Sequence, residues 1–176
     1  MAGLLIFDLY GTILKADKRD WVVRDGLSNL LDHYKSSRTA IFTDGCQDIV
    51  MDDLYTSGLR GKFDADYHAQ HCVHENYLTL SEEFKKKILK YGGGAIKNLE
   101  KVCNDFHISK SESVFIGDNF CNRDNISALI FGLRFIKVPQ FRANPPDWTE
   151  KEYNEGIIEY DDSSNPFSFG ILIGRI

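Results

Sequence analysis

Asp8, Thr43, Lys97, Asp118 and Asp124 have the side-chain types that chemistry at a phosphate or a metal needs, and they recur in telling local settings. Asp8 follows the apolar run Leu4-Leu5-Ile6-Phe7, and the chain breaks at Gly11-Thr12 shortly after. A buried parallel strand delivers a polar group in this way to the carboxyl edge of its sheet, where open α/β folds place their ligands. Thr43 ends a second apolar run, Ala40-Ile41-Phe42, and Asp44-Gly45 follow it. A hydroxyl and backbone N–H groups at the start of a helix make an anion site. Asp118 and Asn119 end a third run, Val114-Phe115-Ile116-Gly117, and Asp124 comes soon after. Two carboxylates on neighbouring strand ends suit a hard, oxygen-seeking cation such as Mg²⁺. Lys97 precedes a helical segment, in Ala95-Ile96-Lys97-Asn98-Leu99. Alone, each of these has a plain structural explanation, since an Asp at a strand end is often a turn former. Their order along the chain is the signal.

Such groups need elements to carry them. Leu4–Phe7, Thr39–Phe42, Ser113–Ile116 and Arg134–Val138 read as short strands. Between them run segments of helical period. Val23, Leu27, Leu30, Leu31 and Tyr34 mark one apolar face, with Asp25 as its N-cap. Ile49, Val50 and Leu54 mark a second, stopped by Gly58. Ser81 opens a third over Glu82–Lys90, ended by Gly92-Gly93-Gly94. Leu99, Val102, Cys103 and Phe106 form a fourth, and Ile126, Leu129 and Ile130 a fifth, stopped by Gly132. Alternating strands and helices predict an α/β fold, a three-layer α/β/α sandwich around a parallel sheet. The tail from 139 differs: prolines, then an acidic stretch, then the apolar Phe167-Ser-Phe-Gly-Ile-Leu-Ile. That end is expected to dock on the core or add an edge strand, with a contact between copies in a homo-oligomer as the alternative.

The 176 residues fit one domain, 1–176, with the motifs in a core of about 4–138 and a tail over 139–176. A net charge of -5 leaves no electrostatic footprint for nucleic acid or an anionic membrane. The first residues lack the basic and apolar regions of a signal peptide, and no apolar stretch approaches a membrane span. Cys46, Cys72, Cys103 and Cys121 form no CxxC pair, so reduced thiols in the cytoplasm are the expectation.

Taken in order, the segments around Asp8, Thr43, Lys97 and Asp118 resemble the four motifs of the haloacid dehalogenase-like hydrolase superfamily. Ser57-Gly58-Leu59 with Phe63-Asp64, and the run Ala128 to Val138, are also similar to it. The resemblance implies that Asp8 is a nucleophile that takes up a phosphoryl group. It implies that Thr43, with the amides of Asp44 and Gly45, holds that group, and that Lys97 neutralises Asp8 and the phosphoryl charge. It makes Asp8, Asp118 and the backbone carbonyl of Tyr10 the ligands of Mg²⁺, with Asn119 and Asp124 as supporting partners. Asp124 lies further from Asp118 than the family pattern has it, and the N-cap of the following helix is its competing role.

One position departs from the phosphatases of that superfamily. Their first motif is D-x-D-G-T, and Tyr10 stands where the second Asp protonates the leaving group and activates water. Such general acid–base help is worth about 10²–10⁴-fold, and a tyrosine near its ordinary pKa of about 10 is a poor base at neutrality. Three expectations follow: a Mg²⁺-dependent phosphatase with differently assisted turnover, acting on a phosphorylated small molecule or macromolecule; a non-catalytic relative that keeps the fold as a binding module; or a 2-haloacid dehalogenase, whose D-x-Y-G-T motif is similar but whose helical cap has no room between Asp8 and Thr43. The chain is expected to be a capless member.

Other features weigh less. His68, His71, Cys72 and His74 cluster as a zinc loop would, but without a second nearby Cys, and histidines at the surface or facing substrate explain them better. Gly92-Gly93-Gly94 reads as a helix stop and Lys85-Lys86-Lys87 as a solvated helix face. Arg19 and Trp21 lie where the family has a flap, with a core anchor as the other role of Trp21.

Overall fold

In the computed structural model Leu4–Phe7, Arg38–Phe42, Ala65–Tyr67, Ser113–Gly117 and Arg134–Lys137 form strands β1 to β5. They make one sheet in the order β3-β2-β1-β4-β5, with every neighbouring pair parallel. Helices α1 (Leu27–His33), α2 (Gln47–Thr56), α3 (Glu82–Tyr91), α4 (Leu99–Phe106) and α5 (Arg123–Phe131) complete it. The structure describes residues 2–16, 21–73, 78, 80–91, 95–141, 168–174 and 176. Arg19, His74, the three glycines 92–94 and most of the tail, 142–167, lie outside these.

The alternation of side chains along the strands builds the three layers. Leu5 and Phe7 of β1 enter a core with Leu27 and Leu30 of α1 and Val50 and Leu54 of α2. Leu4 and Ile6 enter a second core on the other face, with Ile88 of α3, Leu99 and Val102 of α4 and Ile130 of α5. The central strand is buried on both faces, which is why it reads as an unbroken apolar run.

From β1 the chain winds to β2 and β3 on one side, then to β4 and β5 on the other. The switch lies between β1 and β4, where the strand ends part and leave a crevice. Leu4 to Phe7 pair in register with Ser113 to Ile116, and the Asp8 N–H donates to the Ile116 carbonyl at 2.8 Å. Asp8 and Asp118 therefore emerge side by side at the switch.

The structure adds a strand, corrects the cap of α1 and selects docking for the end of the tail. The edge strand β3 was not foreseen, because Ala-Asp-Tyr has no apolar run and only Tyr67 is fully buried. Its pairing supplies what its composition does not. Asp25 does not cap α1; Gly26 does, while the Asp25 carbonyl accepts from the Phe169 N–H at 2.7 Å. The apolar end of the tail docks as a short 3₁₀ helix, Phe169–Leu172, and not as an edge strand. Phe169 is buried edge-on against Phe7 with ring centres 5.9 Å apart, and the Tyr34 hydroxyl accepts from the Gly174 N–H at 3.1 Å.

Candidate active site

A cavity of about 320 Å³ lies at the switch point, lined by Asp8, Lys97, Asp118 and Asp124 together with Tyr10 and Phe120. The four charged groups are almost fully withdrawn from solvent. The Lys97 ammonium donates to Asp8 Oδ1 at 2.5 Å and to Asp124 Oδ1 at 2.6 Å.

Lys97 is held from two sides. Its backbone bridges to Cys72, and the Ile96 carbonyl accepts from the Val73 N–H at 2.7 Å. Its N–H donates to Ser127 Oγ at 3.1 Å. Asp124 and Ser127 are three residues apart on α5 and so share a face. One helix thus fixes both the backbone and the ammonium of the lysine. Asp124 sits in the first turn of α5, whose N-cap is Asn122, so the capping role falls to another residue.

The loop from Asp118 to Asp124 absorbs the longer spacing by coiling tightly. Asn119, Cys121 and Asn122 all take left-handed backbone conformations around a 3₁₀ turn, Phe120–Asn122. The Asn119 N–H donates to Asp124 Oδ2 at 3.0 Å, and its side-chain oxygen accepts from the Asn125 N–H at 2.9 Å. Asn119 organises this loop and leaves Asp124 facing Lys97.

Thr12 joins the two strand ends. Its hydroxyl donates to Asp8 Oδ2 at 3.2 Å and accepts from the Asp118 N–H at 2.9 Å. Gly11 takes φ 79°, and a Cβ there would lie 2.2 Å from Asp118 Oδ2. The Gly-Thr pair after Asp8 is therefore fixed by close packing as well as by turn geometry.

Three carboxylates facing one ammonium are electrostatically crowded. Burial drives the Asp8 carboxyl well above its ordinary range against the pull of Lys97, and Asp124 and Asp118 push it further. Burial, then Asp124, raises Asp118 to about 6. Burial opposes charge on Lys97, but the attraction of Asp124 and Asp8 wins and keeps it protonated. Oxygens of Asp8, Asp118 and Asp124 lie within 4.8 Å of one another, and Asp118 Oδ2 is buried and meets no donor in hydrogen-bond geometry among the described residues. An all-oxygen set with a vacant buried acceptor fits a divalent cation such as Mg²⁺, which would relieve the crowding.

Thr43 is fully buried at the end of β2, and its Oγ accepts from the Gly45 N–H at 3.2 Å. Asp44 lines the cavity and forms an ion pair with Arg123 at the start of α5. That pair links the β2 and β4 sides of the crevice at its solvent edge.

Tyr10 is turned toward α2. Its hydroxyl donates to Asp53 Oδ2 at 2.6 Å, while Trp21 Nε1 donates to Asp53 Oδ1 at 2.8 Å. Asp53 is buried, and nothing in its sequence setting, on the α2 pattern, marks it as a partner for either ring. Arg24 was missed as well. It is fully buried, and its guanidinium donates to the carbonyls of Thr12 and Pro139 at 2.5 Å and of Gly11 at 3.0 Å. Its guanidinium also lies over the Phe141 and Phe169 rings. An arginine amid apolar residues in a helix-like stretch gives only one cue, its position just after the loop that follows Asp8.

His68, His71 and Cys72 do not line this cavity, although Cys72 pairs with the backbone of Lys97. The His68 N–H donates to His71 Nδ1 at 3.1 Å, and Cys72 is buried in the second core. Among the described residues, only Asp8, Asp118 and Asp124 come together as metal ligands.

No protein-family model matches the chain, and no curated protein matches it in sequence. Its fold does match solved structures. A haloacid dehalogenase-superfamily hydrolase from Ehrlichia chaffeensis superposes with a TM-score of 0.55 at 15% identity, over 82% of this chain and 92% of that one. A predicted phosphoglycolate phosphatase from Haemophilus somnus gives 0.50 at 13% identity, over 84% and 92%. The L-2-haloacid dehalogenase from Xanthobacter autotrophicus gives 0.51 at 13%, over 79% and 78%. With its five-stranded parallel sheet between two helical layers, the chain has the fold of the haloacid dehalogenase-like hydrolases.

Proposed function

We propose that the chain is a Mg²⁺-dependent phosphomonoester hydrolase or phosphotransferase that works through Asp8. The observation that carries this reading is the buried Lys97 shared between Asp8 and Asp124, beside the buried carboxylate of Asp118. A carboxylate held at a strand end against an ammonium is placed to attack an electrophile. In the first step an Asp8 oxygen bonds to phosphorus as the bond from phosphorus to the leaving oxygen breaks, and that oxygen takes a proton from solvent. In the second, water attacks phosphorus, phosphate departs, and Asp8 is regenerated as carboxylate. Lys97 offsets the charge on the phosphoryl oxygens, and Thr43 with the amides of Asp44 and Gly45 binds them. Asp8, Asp118 and the Tyr10 carbonyl would hold Mg²⁺, which supplies charge neutralisation at the carboxylates and the phosphoryl group. Asn119 and Asp124 keep these groups in place.

The Tyr10 hydroxyl is committed to Asp53, which favours leaving groups that need no protonation. The same observation supports a second reading, a phosphate-binding module without turnover. A 2-haloacid dehalogenase is a weaker third, since α1 takes up much of the short stretch between Asp8 and Thr43 in which those enzymes carry a helical cap. The substrate is a phosphorylated small molecule or macromolecule that reaches an open site, and a cytoplasmic setting suits this chemistry.

An assay with an aryl phosphate, with and without Mg²⁺, decides among these. Wild type should turn over or show a burst with metal only, and Asp8→Asn should not. If wild type is silent and Tyr10→Asp gains nothing, the enzyme reading falls and the binding module stands. Halide release from a 2-haloacid without metal would select the dehalogenase.

A further inference from the structure

A second cavity, also of about 320 Å³, adjoins the first, and Tyr10 and Ala16 line both. Leu14, Trp21 and Ile49 line it too, together with Lys15, Gly45, Cys46 and Asp53. Of its polar groups, Asp53 is already engaged, its two oxygens accepting from Tyr10 and Trp21. A flat apolar ring would find Leu14, Trp21 and Ile49 as apolar walls.

Two further observations suggest a ligand. Ile49 on α2 and Trp21 are 45% and 38% exposed, among the few large apolar side chains open to solvent, and both line this cavity. Clustered apolar exposure of this kind marks binding surfaces. Trp21 also takes φ 51°, a left-handed conformation rare for a bulky residue, and its indole is tied to Asp53. Strained residues of this sort persist where the surroundings enforce them and often where ligands bind.

We propose that this cavity is the subsite for the leaving group and that it takes an aromatic ring, so that the substrates are aryl phosphomonoesters. The proposal rests on the phosphomonoester reading of Asp8 and names its substrate class. Tyr10, which lines both cavities, then forms the wall between the phosphoryl and aryl sites. An aryl leaving group also departs without protonation, which fits a hydroxyl held away from the reaction by Asp53.

Calorimetric titration of the full chain in Mg²⁺ with inorganic phosphate, methylphosphonate and phenylphosphonate tests this without relying on turnover. Phenylphosphonate should bind about tenfold more tightly than methylphosphonate, in keeping with partial burial of a ring. Ile49→Asp should reduce that advantage to less than about twofold and leave methylphosphonate affinity unchanged, which also shows that the variant is folded. Equal binding of the two phosphonates, or an advantage that Ile49→Asp leaves intact, overturns the aryl subsite while the phosphoryl site stands. Failure of inorganic phosphate to bind overturns the phosphomonoester reading and the subsite with it.

Discussion

Tyr10 donates its hydroxyl to Asp53 across 2.6 Å, so the side chain that stands in place of a general acid is anchored to α2. A hydroxyl held by a buried carboxylate contributes little as a proton donor elsewhere. Tyr10→Phe should therefore change turnover of an aryl phosphate by less than about threefold, far short of the 10²–10⁴ that a general acid supplies. It should cost about 1–3 kcal/mol of stability, because Asp53 loses a donor. Comparing kcat with the urea midpoint separates the two effects.

Asp118, at about 6, binds its proton more tightly in the folded protein than in the unfolded chain, where 3.8 is the reference. The unfolded state releases that proton first. The stabilisation is full below about pH 4 and is lost as pH rises through about 6, a change of the order of 3 kcal/mol. Without divalent ion, Asp118→Asn should be more stable than wild type at pH 7.5, and the gap should narrow markedly at pH 4.5. Mg²⁺ should raise the Tm of wild type at pH 7.5 and leave the variant nearly unchanged.

Gly117 packs its α-carbon against Asp124: an added Cβ would lie 2.3 Å from Asp124 Oδ2. Gly117→Ala should push Asp124 off Lys97 and cost about 1–3 kcal/mol. Turnover should fall with it, as in Asp124→Asn. If the alanine variant keeps wild-type stability and activity, the Asp124–Lys97 contact is not needed for either.

Lys97 is the one cation within bonding distance of Asp8 and Asp124 among the described residues. Lys97→Met should cost about 3–5 kcal/mol at neutral pH, because it strands buried carboxylates. Part of that loss should return at pH 5, where protonation relieves the repulsion. Thermal melts at the two pH values check this.

Arg24 ties the turn at Gly11 and Thr12 to the segment at Pro139 through their three carbonyls. Arg24→Met should destabilise by about 3 kcal/mol or more, since bonds to a charged donor are among the stronger ones. It should also loosen the turn after Asp8, which would appear as faster amide exchange at Thr12 and Ile13.

The sequence by itself determined the α/β architecture, because the periods of its apolar residues are local. Leu4–Phe7 needs both faces buried, and Leu99, Val102 and Cys103 need one. It also placed Asp8, Thr43 and Asp118 at strand ends, since each follows an apolar run directly. It did not determine β3, whose three residues pair only because β2 offers an open edge, nor the cap of α1, which depends on the docking of Phe169 far along the chain. The partners of Tyr10 and Arg24, and the hold of Ser127 on the Lys97 backbone, came from tertiary structure alone. Asp53, Pro139 and Ser127 lie 43, 115 and 30 residues away from them, and no local pattern encodes which buried acceptor a distant donor will meet. Sequence put a tyrosine where a carboxylate was expected; packing decided that its hydroxyl faces α2.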